Sequence, residues 1–366
     1  MAYTTIDNPE LYFQTKLYTG NNSDGNAITL DGDENMQPDL VWSATRNNSM
    51  SKRVYDSVRG VNAALLSDTS AAEDQYAAYG QFESFNSDGF TVGVGTNSDG
   101  TQGYATNTTG HTYVAWCWKA GTSFSNDASA TSIGSIDSSG SASDSSGFSI
   151  CSYTGTGSAG TIKHGLSSAP KMIIIKRRSN AENWAVYHNS IANTKTLYLD
   201  LTLAEDTASN WNNTSSTSSV FSVGTPNMIN GSSDTYIAYC FADVQGAVKC
   251  GSYIGNGASN TDGAFIYLGF RPAMVLVKRT NGAKDWKIFD NKRNGYNGSN
   301  EVLEANNTDA EDTTEFLDFL SNGFKWRIPS SDGKYADVNG EDDTFIYLAF
   351  AEAPFVNSKG VPCNAR

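Results

Sequence analysis

Three Glu-Asp pairs recur in one context, Ala72-Glu73-Asp74, Ala204-Glu205-Asp206 and Ala310-Glu311-Asp312, and are the residues best suited to chemistry. Carboxylates about 5–10 Å apart can serve as the acid and the base or nucleophile of glycoside hydrolysis. Adjacent residues point in different directions, however, and the sequence shows no hydrophobic pocket to raise one carboxyl. They read as solvated loop acids that cap a turn or helix. Calcium is the alternative, because hard cations want several oxygens and Asp-rich turns such as Asp31-Gly32-Asp33 offer them. No other cofactor is expected.

The remaining reactive groups are few. The histidines are His111, His164 and His188, and their positions do not suggest the convergence of a catalytic dyad or zinc site. His188 stands where the equivalent stretches carry Asp56 and Asp290, so a structural role is the simpler reading. Of five cysteines, Cys117 and Cys240 occupy one repeated column that Ala349 fills elsewhere. A site that takes Cys or Ala is small and buried, which predicts reduced core thiols. Asp56 with Arg59, and Asp290 with Arg293, read as surface charge pairs or as contacts to a neighbouring subunit. No catalytic or metal-ligating residue is assigned, and the chain is not expected to be an enzyme.

The elements that position these groups are written three times. Thr112-Tyr113-Val114-Ala115-Trp116-Cys117-Trp118, Thr235-Tyr236-Ile237-Ala238-Tyr239-Cys240-Phe241 and Thr344-Phe345-Ile346-Tyr347-Leu348-Ala349-Phe350 are runs of aromatic and β-branched residues, which predict buried strands. Each unit opens on a Tyr-x-Gly stretch (Tyr18-Thr19-Gly20, Tyr153-Thr154-Gly155, Tyr253-Ile254-Gly255). A strand behind a proline follows, at Pro38, Pro170 and Pro272. The next strand begins at Trp184 or Trp286 in two units, but Lys52 replaces the Trp in the first.

The reading is all-β: tandem β-sandwich-like repeats over residues 1–120, 148–245 and 246–353, with a short N-terminal helix about residues 8–14. Residues 121–147 are rich in Ser and Gly and read as a linker or an ordered crossing loop. Residues 354–366 form an extended tail whose Phe355 and Val356 either fold back on the third unit or meet a partner.

Charge narrows the partners. A net charge of −14 argues against nucleic acid, which needs a basic face, and against an anionic membrane surface. The start shows no secretory pattern, and no apolar run approaches a membrane span.

Taken together, the Tyr18-Thr19-Gly20-Asn21 opening, Gln37-Pro38-Asp39-Leu40-Val41-Trp42, Tyr55-Asp56-Ser57-Val58-Arg59-Gly60, the serine-rich joint and the ending Ala351-Glu352-Ala353-Pro354-Phe355-Val356-Asn357-Ser358 resemble one family. It comprises virion-associated proteins encoded by tailed phages, especially phages of marine bacteria. The resemblance covers nearly the whole chain and implies a structural or tail-fibre-type virion protein, assembled in the host cytoplasm. It transfers no catalytic or ligand residue. The partners expected are further copies of the chain, with a trimer favoured, other tail or capsid proteins, and a host surface glycan.

Overall fold

The three closing runs fold as strands, Thr112–Trp118, Thr235–Phe241 and Thr344–Pro354, each bonded to a neighbour on both sides. The computed structural model describes residues 4–61, 63–74, 80–96, 105–258, 262–294, 297, 301–313, 317–328 and 334–363. One neighbour is the unit's opening strand: Phe13–Thr19, Phe148–Thr154 or Val248–Ile254. The other is the proline-led strand: Leu40–Thr45, Met172–Arg177 or Phe270–Arg279. All these pairings are antiparallel, and each sheet continues through Arg53–Asp56, Ala185–His188 or Lys287–Asp290. A smaller sheet covers the outer face of each unit, such as Phe265–Tyr267, Gly323–Trp326 and Leu317–Leu320 in the third.

Alternation along the closing strands sorts the side chains into two layers. Val114, Trp116 and Trp118, with Ile237, Tyr239 and Phe241, and with Ile346, Leu348 and Phe350, all enter one cluster. That cluster draws on all three units, so the large sheets face one another across a shared core. The intervening residues point the other way, into a separate outer cluster for each unit. Cys117, Cys240 and Ala349 occupy this outer layer, fully buried, and both thiols are free.

Two expectations change. Residues 121–147 are neither linker nor loop: Thr122–Asn126 and Ser138–Ser143 are strands, with a helical turn at Ala128–Thr131 between them. Ser138–Ser143 pairs with Phe148–Thr154 and Thr122–Asn126 pairs with Ser138–Ser143, which extends the second sheet past its opening strand. Backbone bonds hold most of an added edge strand, with Phe124 and Ala142 its main apolar contacts, so it needs little apolar content, and composition hides it. The N-terminal helix is a single 3-10 turn, Pro9–Leu11, in which Asn8 Oδ1 accepts from Glu10 N–H at 3.0 Å. It stops there because Phe13 already pairs with Trp118 across the first sheet.

The tail folds back on the third unit. Phe355 N–H donates to the Gly269 carbonyl at 3.2 Å, Val356 bridges Pro362, and Ser358 bonds the Asp7 carboxylate at 2.7 Å. The last three residues expected in that tail lie outside the described residues.

Candidate functional site

The Ala-Glu-Asp loops are only partly solvated: Glu73, Glu205 and Glu311 are half-buried, whereas Asp74 and Asp206 are exposed. Each crosses to the next unit, and the third crosses back to the first. The backbone N–H of Glu73 donates to the Arg178 carbonyl at 3.0 Å, that of Glu205 to Thr280 at 2.7 Å, and that of Glu311 to Arg46 at 2.8 Å. Beside them, Glu182 N–H donates to Ser70 O, Lys284 to Thr202 O and Met50 to Thr308 O, each at 2.8 Å. The units therefore form a closed ring with three related seams.

Arginine–glutamate pairs reinforce two of the seams. Arg178 grips Glu73 with two hydrogen bonds of 2.8 Å, and Arg46 grips Glu311 with two of 2.9 Å. Such bidentate pairs are the stronger class of charge-assisted contact. Burial acts to raise the Glu73 carboxyl, but the bond from Arg178 and the charge of Arg59 outweigh it and hold it below the ordinary value. At the third seam Thr280 stands where the arginines stand, and its hydroxyl bonds Thr344 instead, at 2.6 Å.

Deeper in the same seams lie the Asp-Arg pairs, and they are not on the surface. Asp56 Oδ2 accepts from Arg59 Nε at 2.5 Å and from the Tyr239 hydroxyl of the second unit at 2.7 Å. Asp290 Oδ2 accepts from Arg293 Nε at 2.6 Å and from the Trp116 indole of the first unit at 3.0 Å. All four charged side chains are fully buried, since each pair satisfies the other's charge and lines the shared core. The neighbour they meet is another unit of the same chain.

His188 takes the equivalent place at the remaining seam. Leu348 occupies the position of Tyr239 and Trp116 there, so no side chain can donate. His188 Nε2 instead lies 3.4 Å from the Tyr347 carbonyl, while Nδ1 accepts from Ser190 N–H at 3.1 Å. Burial pulls this imidazole down to about 4. His164 is likewise buried, at 3.1 Å from the Thr217 carbonyl, and is also lowered to about 4.

Sequence reasoning missed two further sets of seam contacts. Trp184 Nε1 donates to the Leu66 carbonyl at 2.9 Å and Trp286 Nε1 to the Tyr198 carbonyl at 2.7 Å, each across a seam. Lys176 Nζ bonds the carbonyls of Ser70, Arg177 and Glu182, and Lys278 Nζ those of Thr202 and Lys284. Burial lowers these ammonium groups, to about 8 and about 7. The proline-led strands of the second and third units end in Lys176-Arg177 and Lys278-Arg279, and that repetition was the available signal. What the sequence did not show is that each lysine reaches a carbonyl of the preceding unit.

The other candidates are spread out. Asp31 lies beside Lys16 and Lys292, at 3.4 and 3.6 Å, and so faces cations already. Among the described residues no group of three or more His, Cys, Asp or Glu is placed to hold a metal ion. Phe355 and Val356 line a groove of about 480 Å³ together with Val248, Lys249, Tyr267 and Gly269.

No curated protein and no solved structure matches the chain. The family of the domain of unknown function DUF7483 matches residues 8–354, and the chain belongs to that family.

Proposed function

We propose that the chain is a non-enzymatic structural protein of a tailed-phage particle, a tail fibre or a fibre-associated host adhesin. The observation that supports this most is the closed ring of seams. The acids that invited a catalytic reading, Glu73 and Glu311, are taken up by Arg178 and Arg46 of another unit. Two of the three histidines are buried against backbone carbonyls. Groups committed in this way hold three sheets together and leave outer faces for contact. Self-association, with a trimer favoured, would multiply weak contacts to a host glycan by about 10²–10⁴ in avidity.

Labelled antibody imaged on whole particles tests the reading. Label along the tail is the expected result, and label on the capsid would make the chain a decoration or head-fibre protein. Purified protein that shortens host polysaccharide would overturn the reading in favour of a depolymerase.

A further inference from the structure

The second and third units differ where the opening strand meets the outer layer. In the second unit, the Thr122–Asn126 strand places Phe124 over Gly165, whose φ is +83°. A Cβ added at Gly165 would meet the Phe124 ring at 2.6 Å and Ala142 at 2.8 Å, so the ring fills the space above this glycine. In the third unit Gly269 adopts the same φ of +83°, but a Cβ there would meet nothing nearer than the Tyr267 hydroxyl at 3.6 Å. The groove of about 480 Å³ lies at this place.

Among the described residues the edge beside it is also without a partner strand. Val248–Ile254 ends its sheet, whereas the related Phe148–Thr154 carries two more strands. The lower half of the edge is closed locally: Val248 N–H donates to the Val244 carbonyl at 2.9 Å and Cys250 N–H to Asp243 Oδ1 at 2.8 Å. Alternation turns the Ser252 and Ile254 N–H groups the same way, and both residues are exposed. Ile254, Phe265 and Tyr267, exposed by 62, 48 and 54%, place three large apolar side chains on this one unit.

We infer that the third unit binds an extended, small-residue β-hairpin segment of a partner polypeptide. One of its strands pairs with Ser252–Ile254, and the second, folded back on the first as Thr122–Asn126 is on Ser138–Ser143, sets an aromatic side chain over Gly269. The argument for this occupant is internal: the chain's own Ser-Gly strand and Phe124 fill the related place in the second unit. Backbone bonds to an open edge supply affinity, and the groove supplies selection for the aromatic residue. The inference goes beyond the virion reading and does not depend on it.

A synthetic peptide with the sequence of residues 122–143, titrated into the fluorescently labelled full chain, tests it. Saturable binding is expected. Val356→Trp, which fills the groove, and Ser252→Pro, which removes the outward N–H, should each weaken binding roughly tenfold or more. A peptide carrying Phe124→Ser should lose as much. Should either protein variant lower the unfolding midpoint, Tyr267→Ala at the exposed ring replaces it, with the same loss expected. The inference is overturned if the peptide shows no saturable binding, or if the groove and edge variants bind it as the parent does. It is equally overturned if soluble saccharides bind and the peptide does not, or if the variants abolish self-association of the chain, which would make a second copy the occupant.

Discussion

Lys52, which stands in sequence where the other two units carry Trp184 and Trp286, places its ammonium 2.6 Å from the carbonyl oxygen of Asn307. The indole has moved to the neighbouring strand. Trp42 stands where Ile174 and Leu276 stand, and its Nε1 bonds Ser67 Oγ, which passes the contact on to the Ala305 carbonyl. The exchange of one Trp for Lys is thus balanced by the exchange of an aliphatic residue for Trp. Lys52→Trp should destabilise the chain by about 1–3 kcal/mol, because two indoles would compete for one space. The double variant Lys52→Trp with Trp42→Ile should cost less than the single one. Urea midpoints of the three proteins check this, and strict additivity would contradict it.

The seams also predict unequal glutamates. Glu73→Gln weakens a bidentate ion pair and should cost about 1–3 kcal/mol. Glu205→Gln faces no arginine across its seam and should stay within about 0.5 kcal/mol of the parent. Equal losses in denaturant melts would show that the arginine grip is not what distinguishes the seams.

Acid should loosen the ring. His188 and His164 are held near 4 when folded, against 6.5 for the ordinary group. The unfolded chain therefore binds more protons between these values, and stability falls as pH drops from about 6.5 towards 4. Complete protonation is worth roughly 3 kcal/mol for each imidazole at most. Glu73, held low, adds a further loss as pH falls below its unfolded value near 4.5. His188→Asn should flatten the slope of stability against pH between about 6.5 and 4.5, measured by urea unfolding at several pH values; an unchanged slope would place the titration elsewhere.

The thiol column offers a control. Ala349 already fills the site of Cys117 and Cys240, so Cys240→Ala should cost no more than about 1.5 kcal/mol, while Cys240→Leu overpacks a filled layer and should cost about 1–3 kcal/mol. Thermal melts of a Cys363→Ser variant with and without reductant should coincide, since Cys363 is the exposed thiol and Cys117, Cys151, Cys240 and Cys250 are buried and free.

Much of this architecture was legible. The closing strands could be read because seven-residue runs such as Thr235–Phe241 combine β-branched and aromatic residues, and because repetition aligned them. The Cys-or-Ala column was legible for the same reason. Three features were not. The Ser-rich strand Ser138–Ser143 carries its information in backbone bonds, which have no side-chain signature. Asp56 and Arg59 resembled a surface pair because their burial depends on Tyr239, 183 residues away from Asp56. The Glu73 contact with Arg178 escaped notice because nothing local to the Ala-Glu-Asp motif says that it faces an arginine 105 residues later.

The ring is joined by residues at opposite ends of the chain: Arg46 meets Glu311, 265 positions later. During synthesis the first two units must therefore emerge with one wall of the common core missing, their Trp116, Trp118 and Phe241 waiting for a sheet not yet translated. A ribosome that stalled before Thr344 would release a sticky intermediate instead of a smaller working protein.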